Sequence, residues 1–77
     1  MFIDIGNNYV IESKYVISII DIQLKKTSSK IQRIIEDVEA AGKLFGDEEE
    51  AKSIVITDDS LYYSPLSTLT LKKTKVL

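Results

Sequence analysis

The sequence predicts an α+β domain in which one main helix packs on a small antiparallel sheet. Short apolar stretches, interrupted by Gly, Asn, Asp and Pro, lie before and after residues 29–42, as is typical of strands and turns. Residues 29–42 instead carry apolar side chains at helical spacing. The 77 residues are 44% hydrophobic and 29% charged, an ordinary globular composition, so we predict a single domain spanning residues 1–77.

Three strands are predicted before the helix. Residues 2–5 alternate apolar and polar side chains, and Gly6-Asn7-Asn8 is a turn cluster suited to positive φ. Residues 9–12 are rich in β-branched and aromatic side chains, so the whole segment predicts a hairpin. Residues 15–22 are apolar on both faces, which indicates either a central strand or a strand that meets a neighbouring subunit.

The main helix is predicted over residues 29–42. Ser29 followed by Gln32 matches a capping box at the N-terminal end, and Gly42 supplies the C-terminal stop. One apolar stripe would face the sheet, and its members are Ile31, Ile34, Ile35 and Val38. Burying each of these side chains contributes roughly 1.5–3 kcal/mol, so the stripe supplies a large share of the stability of a domain this small.

Two further strands and a short helix complete the prediction. Residues 52–57 and 61–64 are apolar stretches separated by a polar turn. Pro65 ends the second of these strands because it cannot donate to the ladder. Ser67 can cap a short helix that continues to Lys75. The predicted order is therefore β-β-β-α-β-β followed by a short helix, with about five strands in the sheet.

The composition argues against an enzyme. The chain has no cysteine and no histidine, so disulfides, thiolate zinc sites and Ser–His or Cys–His nucleophile pairs are excluded. Carboxylates, lysine and tyrosine are present, but no catalytic pair of them is placed by the sequence. Residues 47–50 are all acidic but lack the alternating ligands and the glycine of a calcium loop. We therefore predict no catalytic residues, no metal site and no cofactor.

Hydropathy and the first residues predict a soluble, cytoplasmic protein. No stretch approaches the roughly 18–20 uninterrupted apolar residues that a membrane span needs. Met1-Phe2-Ile3-Asp4 contains no basic side chain and places an acid at position 4, which argues against a secretory signal. We predict no contact with a membrane.

Basic residues cluster in two places, although the net charge is −2 and the pI is near 5.0. Lys72, Lys73 and Lys75 lie near the C-terminus, and the other group, at the start of the main helix, comprises Lys25, Lys26, Lys30 and Arg33. One interpretation is phosphate contact, which adds salt-dependent affinity without sequence information. The other is a solvated face. Acids are interleaved with bases on the polar side of the helix, which makes it a poor recognition helix for a major groove.

Size and sheet edges predict an oligomer. A domain of this length supports only a thin core, and association of subunits is a standard remedy. An open sheet also leaves two edges that a neighbouring subunit could cover. The acidic residues 47–50 are expected to form a solvated loop, with contact to the basic tail of a neighbouring subunit as the alternative.

Nearly the whole chain resembles the bacterial extracellular-matrix (biofilm) regulators RemA and RemB. The resemblance to the RemB branch of this family is the closer one. The likeness is weakest at residues 23–51. The segments that carry it are Phe2-Ile3-Asp4-Ile5-Gly6, Val16-Ile17-Ser18-Ile19-Ile20, Lys52-Ser53-Ile54-Val55-Ile56-Thr57 and Tyr62-Tyr63-Ser64-Pro65-Leu66-Ser67, with Leu71-Lys72-Lys73 after them. The resemblance implies a LytTR-like fold and a transcriptional activator of matrix operons, whose RemA branch binds DNA as a closed ring of subunits.

Two positions depart from the RemA pattern. Where RemA carries an arginine-rich loop used for DNA, residues 47–52 here are four acids followed by Ala51 and Lys52. Where RemA has an arginine after its second strand, Lys14 is the residue here that can replace it. Acids in the loop would repel a phosphate backbone, so the RemA mode of DNA contact does not transfer unchanged to this chain.

The leading hypothesis is a RemB-like regulatory protein that assembles through its sheet into a homo-oligomer, for which a ring is one form. DNA contact would be electrostatic and repeated around the assembly, and the candidate nucleic-acid-binding residues are Lys14, Lys25, Lys26, Lys30 and Arg33. The competing hypothesis is an interaction module that binds a protein partner and no DNA. The acidic loop and the low pI favour this second hypothesis.

Overall fold

A four-stranded mixed sheet forms the centre of the molecule, with a separate two-stranded hairpin packed on one face and a helix on the other. The structure is a computed structural model and describes residues 1–73. The strands are β1 (Phe2–Asp4), β2 (Val10–Glu12), β3 (Val16–Asp21), β4 (Leu44–Phe45), β5 (Ser53–Thr57) and β6 (Leu61–Ser64). The helices are α1 (Leu24–Thr27), α2 (Ser29–Ala40) and α3 (Thr68–Lys73). The predicted α+β class is confirmed.

The sheet differs from the prediction in strand number and in direction. Its order is β3-β5-β6-β4; β5 is antiparallel to both its neighbours, and β4 is parallel to β6. The prediction of one antiparallel sheet of about five strands is therefore wrong. Strand β4 has only two residues, which are too few for a recognisable alternation in the sequence. Its Phe45 stacks on Tyr62 of the neighbouring strand, with ring centroids 5.2 Å apart.

The predicted hairpin is confirmed as β1 and β2, which pair with each other alone. Gly6, Asn7 and Asn8 adopt positive φ values of 84°, 55° and 66°, as their residue types allow. A 3₁₀ turn at Ser13–Tyr15 then redirects the chain into β3. This turn separates the hairpin from the larger sheet, and sequence periodicity does not reveal it.

Among the strands that the structure describes, β3 lies at an edge of the sheet and pairs with β5. The interpretation of this segment as a central strand is therefore wrong. Ile19 faces the hairpin side and Ile20 the α2 side, which explains why both faces are apolar. A β-bulge between Val16 and Ser18 leaves Ile17 outside the regular ladder and 67% exposed.

The N-cap of helix α2 lies one residue earlier than predicted. The hydroxyl of Ser28, not Ser29, accepts a hydrogen bond from the Ile31 N–H at 3.2 Å. The predicted capping box is therefore wrong, and Gln32 instead donates through Nε2 to the Lys25 carbonyl at 2.7 Å.

The C-terminal end of α2 is where the sequence predicts it. Gly42 has φ of 73° and its N–H donates to the Glu39 carbonyl at 3.0 Å, while the Lys43 N–H donates to the Val38 carbonyl at 2.9 Å. This is a Schellman motif, which uses a residue in the left-handed region after the last helical turn.

Two cores lie on opposite faces of the sheet. On the α2 side, Ile54, Leu61 and Tyr63 pack against the predicted helical stripe, of which Ile35 is buried and the other members are half-buried. On the hairpin side, the buried residues are Ile5, Ile11, Val55 and Leu71. Leu71 lies on α3, so this short helix closes the second core.

The end of the chain follows the prediction as far as the structure describes it. Strand β6 ends at Ser64, directly before Pro65. The Ser67 hydroxyl accepts from the Thr70 N–H at 3.1 Å and caps α3, as predicted. The predicted continuation to Lys75 lies outside the described residues.

Candidate nucleic-acid interface

Helix α1, which the sequence did not predict, positions two of the candidate lysines, Lys25 and Lys26. The Gln23 N–H donates to Asp21 Oδ1 at 2.8 Å where β3 ends, and the Ser28 N–H donates to the Leu24 carbonyl at 2.9 Å. This single turn connects β3 to α2 and places Lys25 and Lys26 beside one another. They border a cleft of about 370 Å³ lined by Ile22, Gln23, Lys25, Lys26, Glu48 and Ala51.

The structure does not bring the five predicted residues into one patch. Lys25 lies along the flank of α2 that carries Gln32 and Glu36. Lys30 and Arg33 are neighbours at i and i+3 on α2. Lys14 belongs to the 3₁₀ turn before β3, whereas α1 follows β3. The six residues of β3 separate the 3₁₀ turn from α1 by about 20 Å.

Lys25 is held by an acid from the predicted acidic loop. Its Nζ contacts Glu48 Oε2 and lies 5.4 Å from the centroid of the Tyr63 ring. The hydrogen bond that the Lys25 ammonium donates to the Glu48 carboxylate raises the pKa of Lys25 and outweighs desolvation, and Tyr63 adds a smaller effect in the same direction. Lys25 therefore stays charged, with its side chain 28% exposed.

Residues 47–50 form an exposed turn. The Glu49 N–H donates to Asp47 Oδ1 at 3.0 Å, and the Ala51 N–H donates to the Glu48 carbonyl at 3.1 Å. All four acids are exposed, but Glu48 is bound to a lysine of the same chain. The exposure of all four acids agrees with the predicted solvated loop, and the contact of Glu48 with Lys25 is an addition that the sequence did not reveal. Contact with a neighbouring subunit stays a prediction.

Two more of the predicted residues have acidic neighbours. Arg33 Nε lies 3.6 Å from Asp37 Oδ1, and Lys14 Nζ lies 3.6 Å from Glu12 Oε1. Both pairs are largely exposed, so each contributes little to stability.

Lys26 and Lys30 are the remaining predicted residues. Both are exposed, and within residues 1–73 neither forms an ion pair. Whether any of the five binds nucleic acid stays a prediction.

An exposed apolar surface is a feature that the pattern of charged residues does not predict. Phe2 and Val10 lie on the outward face of the hairpin and are 45% and 56% exposed. Tyr15 and Ile17, where the chain enters β3, are 46% and 67% exposed. Within residues 15–22, Ile19 and Ile20 face the two cores, whereas Tyr15 and Ile17 are the apolar residues that remain exposed.

The acidic side chains are dispersed over the part of the chain that the structure describes. Among those residues, no three acidic side chains gather at a point that could hold a metal ion. The described helices are all too short or too polar to cross a bilayer.

Comparison with known proteins identifies the family. Residues 2–74 match the RemA-like family model, described as extracellular matrix regulatory protein A-like. The chain is also 30% identical, over an alignment of 83 positions, to extracellular matrix regulatory protein B of Bacillus subtilis (strain 168), with 95% of this chain and 88% of that protein covered. These matches confirm the resemblance found in the sequence. The chain belongs to the RemA-like family of extracellular matrix regulatory proteins.

Proposed function

We propose that this protein regulates transcription of extracellular-matrix genes as a cytoplasmic homo-oligomer that contacts DNA through lysines repeated around the assembly. Family membership and the name of the Bacillus subtilis relative support the role in matrix regulation. The observation that carries the DNA contact is the exposure of Lys26 and Lys30, which have no acidic partner within residues 1–73. Such cations are available to a phosphate backbone.

Self-assembly is supported by the exposed apolar residues and by the position of β3, which is an edge strand within residues 1–73. Phe2, Val10, Tyr15 and Ile17 are large apolar side chains left in contact with water. Their burial between subunits would remove this surface, and the unpaired backbone of an edge strand offers hydrogen bonds to a neighbour.

Multivalency makes the two parts of the proposal depend on one another. One subunit offers two unpaired candidate lysines within the described chain, which is too few for tight binding alone. Joining several subunits raises the effective concentration of every further contact. Loss of assembly should therefore weaken DNA binding even if every lysine is intact.

Binding of a fluorescent duplex at roughly 50 mM and 200 mM salt tests the DNA contact. We expect affinity to fall steeply with salt, and Lys30→Gln to reduce the slope by about 0.9 for each phosphate that the variant no longer neutralises. Lys43→Gln is the matched control, because it removes the same charge from an exposed residue beyond the other end of α2. Equal effects of both variants, or no binding at low salt, would contradict a DNA role.

A second candidate function is regulation through a protein partner without DNA. The pairing of Lys14, Lys25 and Arg33 with acids favours it, because three of the five candidate cations already have a carboxylate nearby. In that case the exposed apolar surface would bind the partner. Absence of duplex binding at low salt, together with a folded oligomer, would support this second function.

A further inference from the structure

The Lys25–Glu48 ion pair joins two segments of opposite charge that are 23 residues apart in the sequence. We propose that Lys25 is part of a phosphate-binding position that Glu48 fills within the same chain, so that the acidic turn competes with a DNA phosphate for this lysine. The inference rests on the proposed DNA contact and adds a means by which that contact is restrained.

Lys25 is held in place by groups other than Glu48. The Gln32 side chain donates to the Lys25 carbonyl at 2.7 Å and ties α1 to α2. The Tyr63 ring, which is buried in the core, lies 5.4 Å from the Lys25 Nζ. A lysine ordered in this way loses less conformational freedom on binding an anion than a fully exposed one.

Glu48 is the more exposed member of the pair. Glu48 is 57% exposed, and its turn is stabilised by the local hydrogen bonds of Glu49 and Ala51. Partly exposed ion pairs are weak, so an incoming phosphate has to overcome only about a two- to fivefold preference for the internal partner.

The surroundings of the pair suit an anion. Lys26 borders the same cleft, whose volume of about 370 Å³ can admit a phosphate group. With Glu48 displaced, Lys25 and Lys26 would offer two ammonium groups to the incoming oxygens. With Glu48 in place, one of these two positive charges is neutralised.

The matched variants Glu48→Gln and Glu50→Gln separate this mechanism from an effect of net charge. Both remove one negative charge from the same exposed turn, but of these two acids only Glu48 forms an ion pair with Lys25. We expect Glu48→Gln to bind the duplex about two- to fivefold more tightly than Glu50→Gln. Adding Lys25→Gln should abolish that difference. Equal affinities of the two single variants would overturn the proposal.

A second readout keeps the inference distinct from the proposed function. The Cε resonance of Lys25, assigned by its loss in Lys25→Gln, is followed by NMR during titration with inorganic phosphate. We expect it to shift in Glu48→Gln at phosphate concentrations that leave the original chain unchanged. If no variant binds DNA but this shift occurs, the anion position stands and the DNA function fails. If Lys25 does not respond in Glu48→Gln, the anion position is overturned.

Discussion

At the residue scale, buried serine hydroxyls connect the central sheet to the hairpin and to the segment before α3. Ser64 on β6 is fully buried, donates to the Ile5 carbonyl at 2.6 Å and accepts from the Leu66 N–H at 3.1 Å. Ser53 on β5 is equally buried and donates to the Leu66 carbonyl at 2.7 Å. These bonds hold the hairpin and the segment before α3 against the central sheet, so small polar residues here have a structural role.

Ser64→Ala should lower the free energy of unfolding by about 1–3 kcal/mol, because it leaves buried polar groups of Ile5 and Leu66 without their partner. Urea unfolding followed by circular dichroism measures the change. Ser18→Ala is the control, because residues 1–73 show no hydrogen bond from that side chain and the serine is only half-buried. Similar losses in the two variants would contradict the role assigned to Ser64.

Removal of the Lys25 charge should change how stability depends on alkaline pH. Glu48 raises the pKa of Lys25 above its ordinary value of 10.5, so the folded state binds this proton more tightly than the unfolded state. The resulting stabilisation is complete below 10.5 and is lost as the pH rises through the higher folded value. Urea unfolding should be measured below and above this pH range. We expect the free energy of unfolding to fall less at alkaline pH for Lys25→Met than for the unsubstituted chain. An identical loss would contradict the pairing.

At the scale of elements, the predictable ones are those whose signals are local. The hairpin, α2 and the β5–β6 pair each carry a periodic pattern bounded by turn or cap residues. Helix α1 has four residues and β4 has two, and both depend on contacts with α2 and β6 for their formation. The pairing of Lys25 with Glu48 depends on the relative position of α1 and the acidic turn, which no local pattern contains.

The N-terminus of α2 offers a direct test of the cap. Ser28→Ala should destabilise the protein by about 1 kcal/mol, because the Ile31 N–H loses its acceptor. Ser29→Ala, the substitution that the sequence pattern would single out, should change stability little, because Ser29 is exposed and already within the helix. Thermal unfolding of the two neighbouring variants checks this order, and a reversed order would restore Ser29 as the cap.

At the scale of the whole molecule, exposed apolar surface is the basis for expecting assembly. Light scattering at tens of micromolar should show an oligomer for the original chain, and Ile17→Asp should reduce its mass, because a charge would be buried between subunits. Leu69→Asp is the matched control, since Leu69 is 64% exposed but lies on α3 and not on the strand β3 itself. A monomeric original chain, or equal dissociation of both variants, would contradict assembly through β3.

The unequal edges of the sheet also restrict the symmetry that an assembly can have. Strand β3 presents six residues at one edge, whereas β4 presents two at the other. If β3 pairs with β3 of a second copy, the contact is two-fold and association stops at a dimer. If β3 instead meets a different surface, the contact is head-to-tail and adds copies until the rotation closes. The number of subunits in the assembly therefore distinguishes pairing of β3 with β3 from contact of β3 with a different surface of the neighbouring copy.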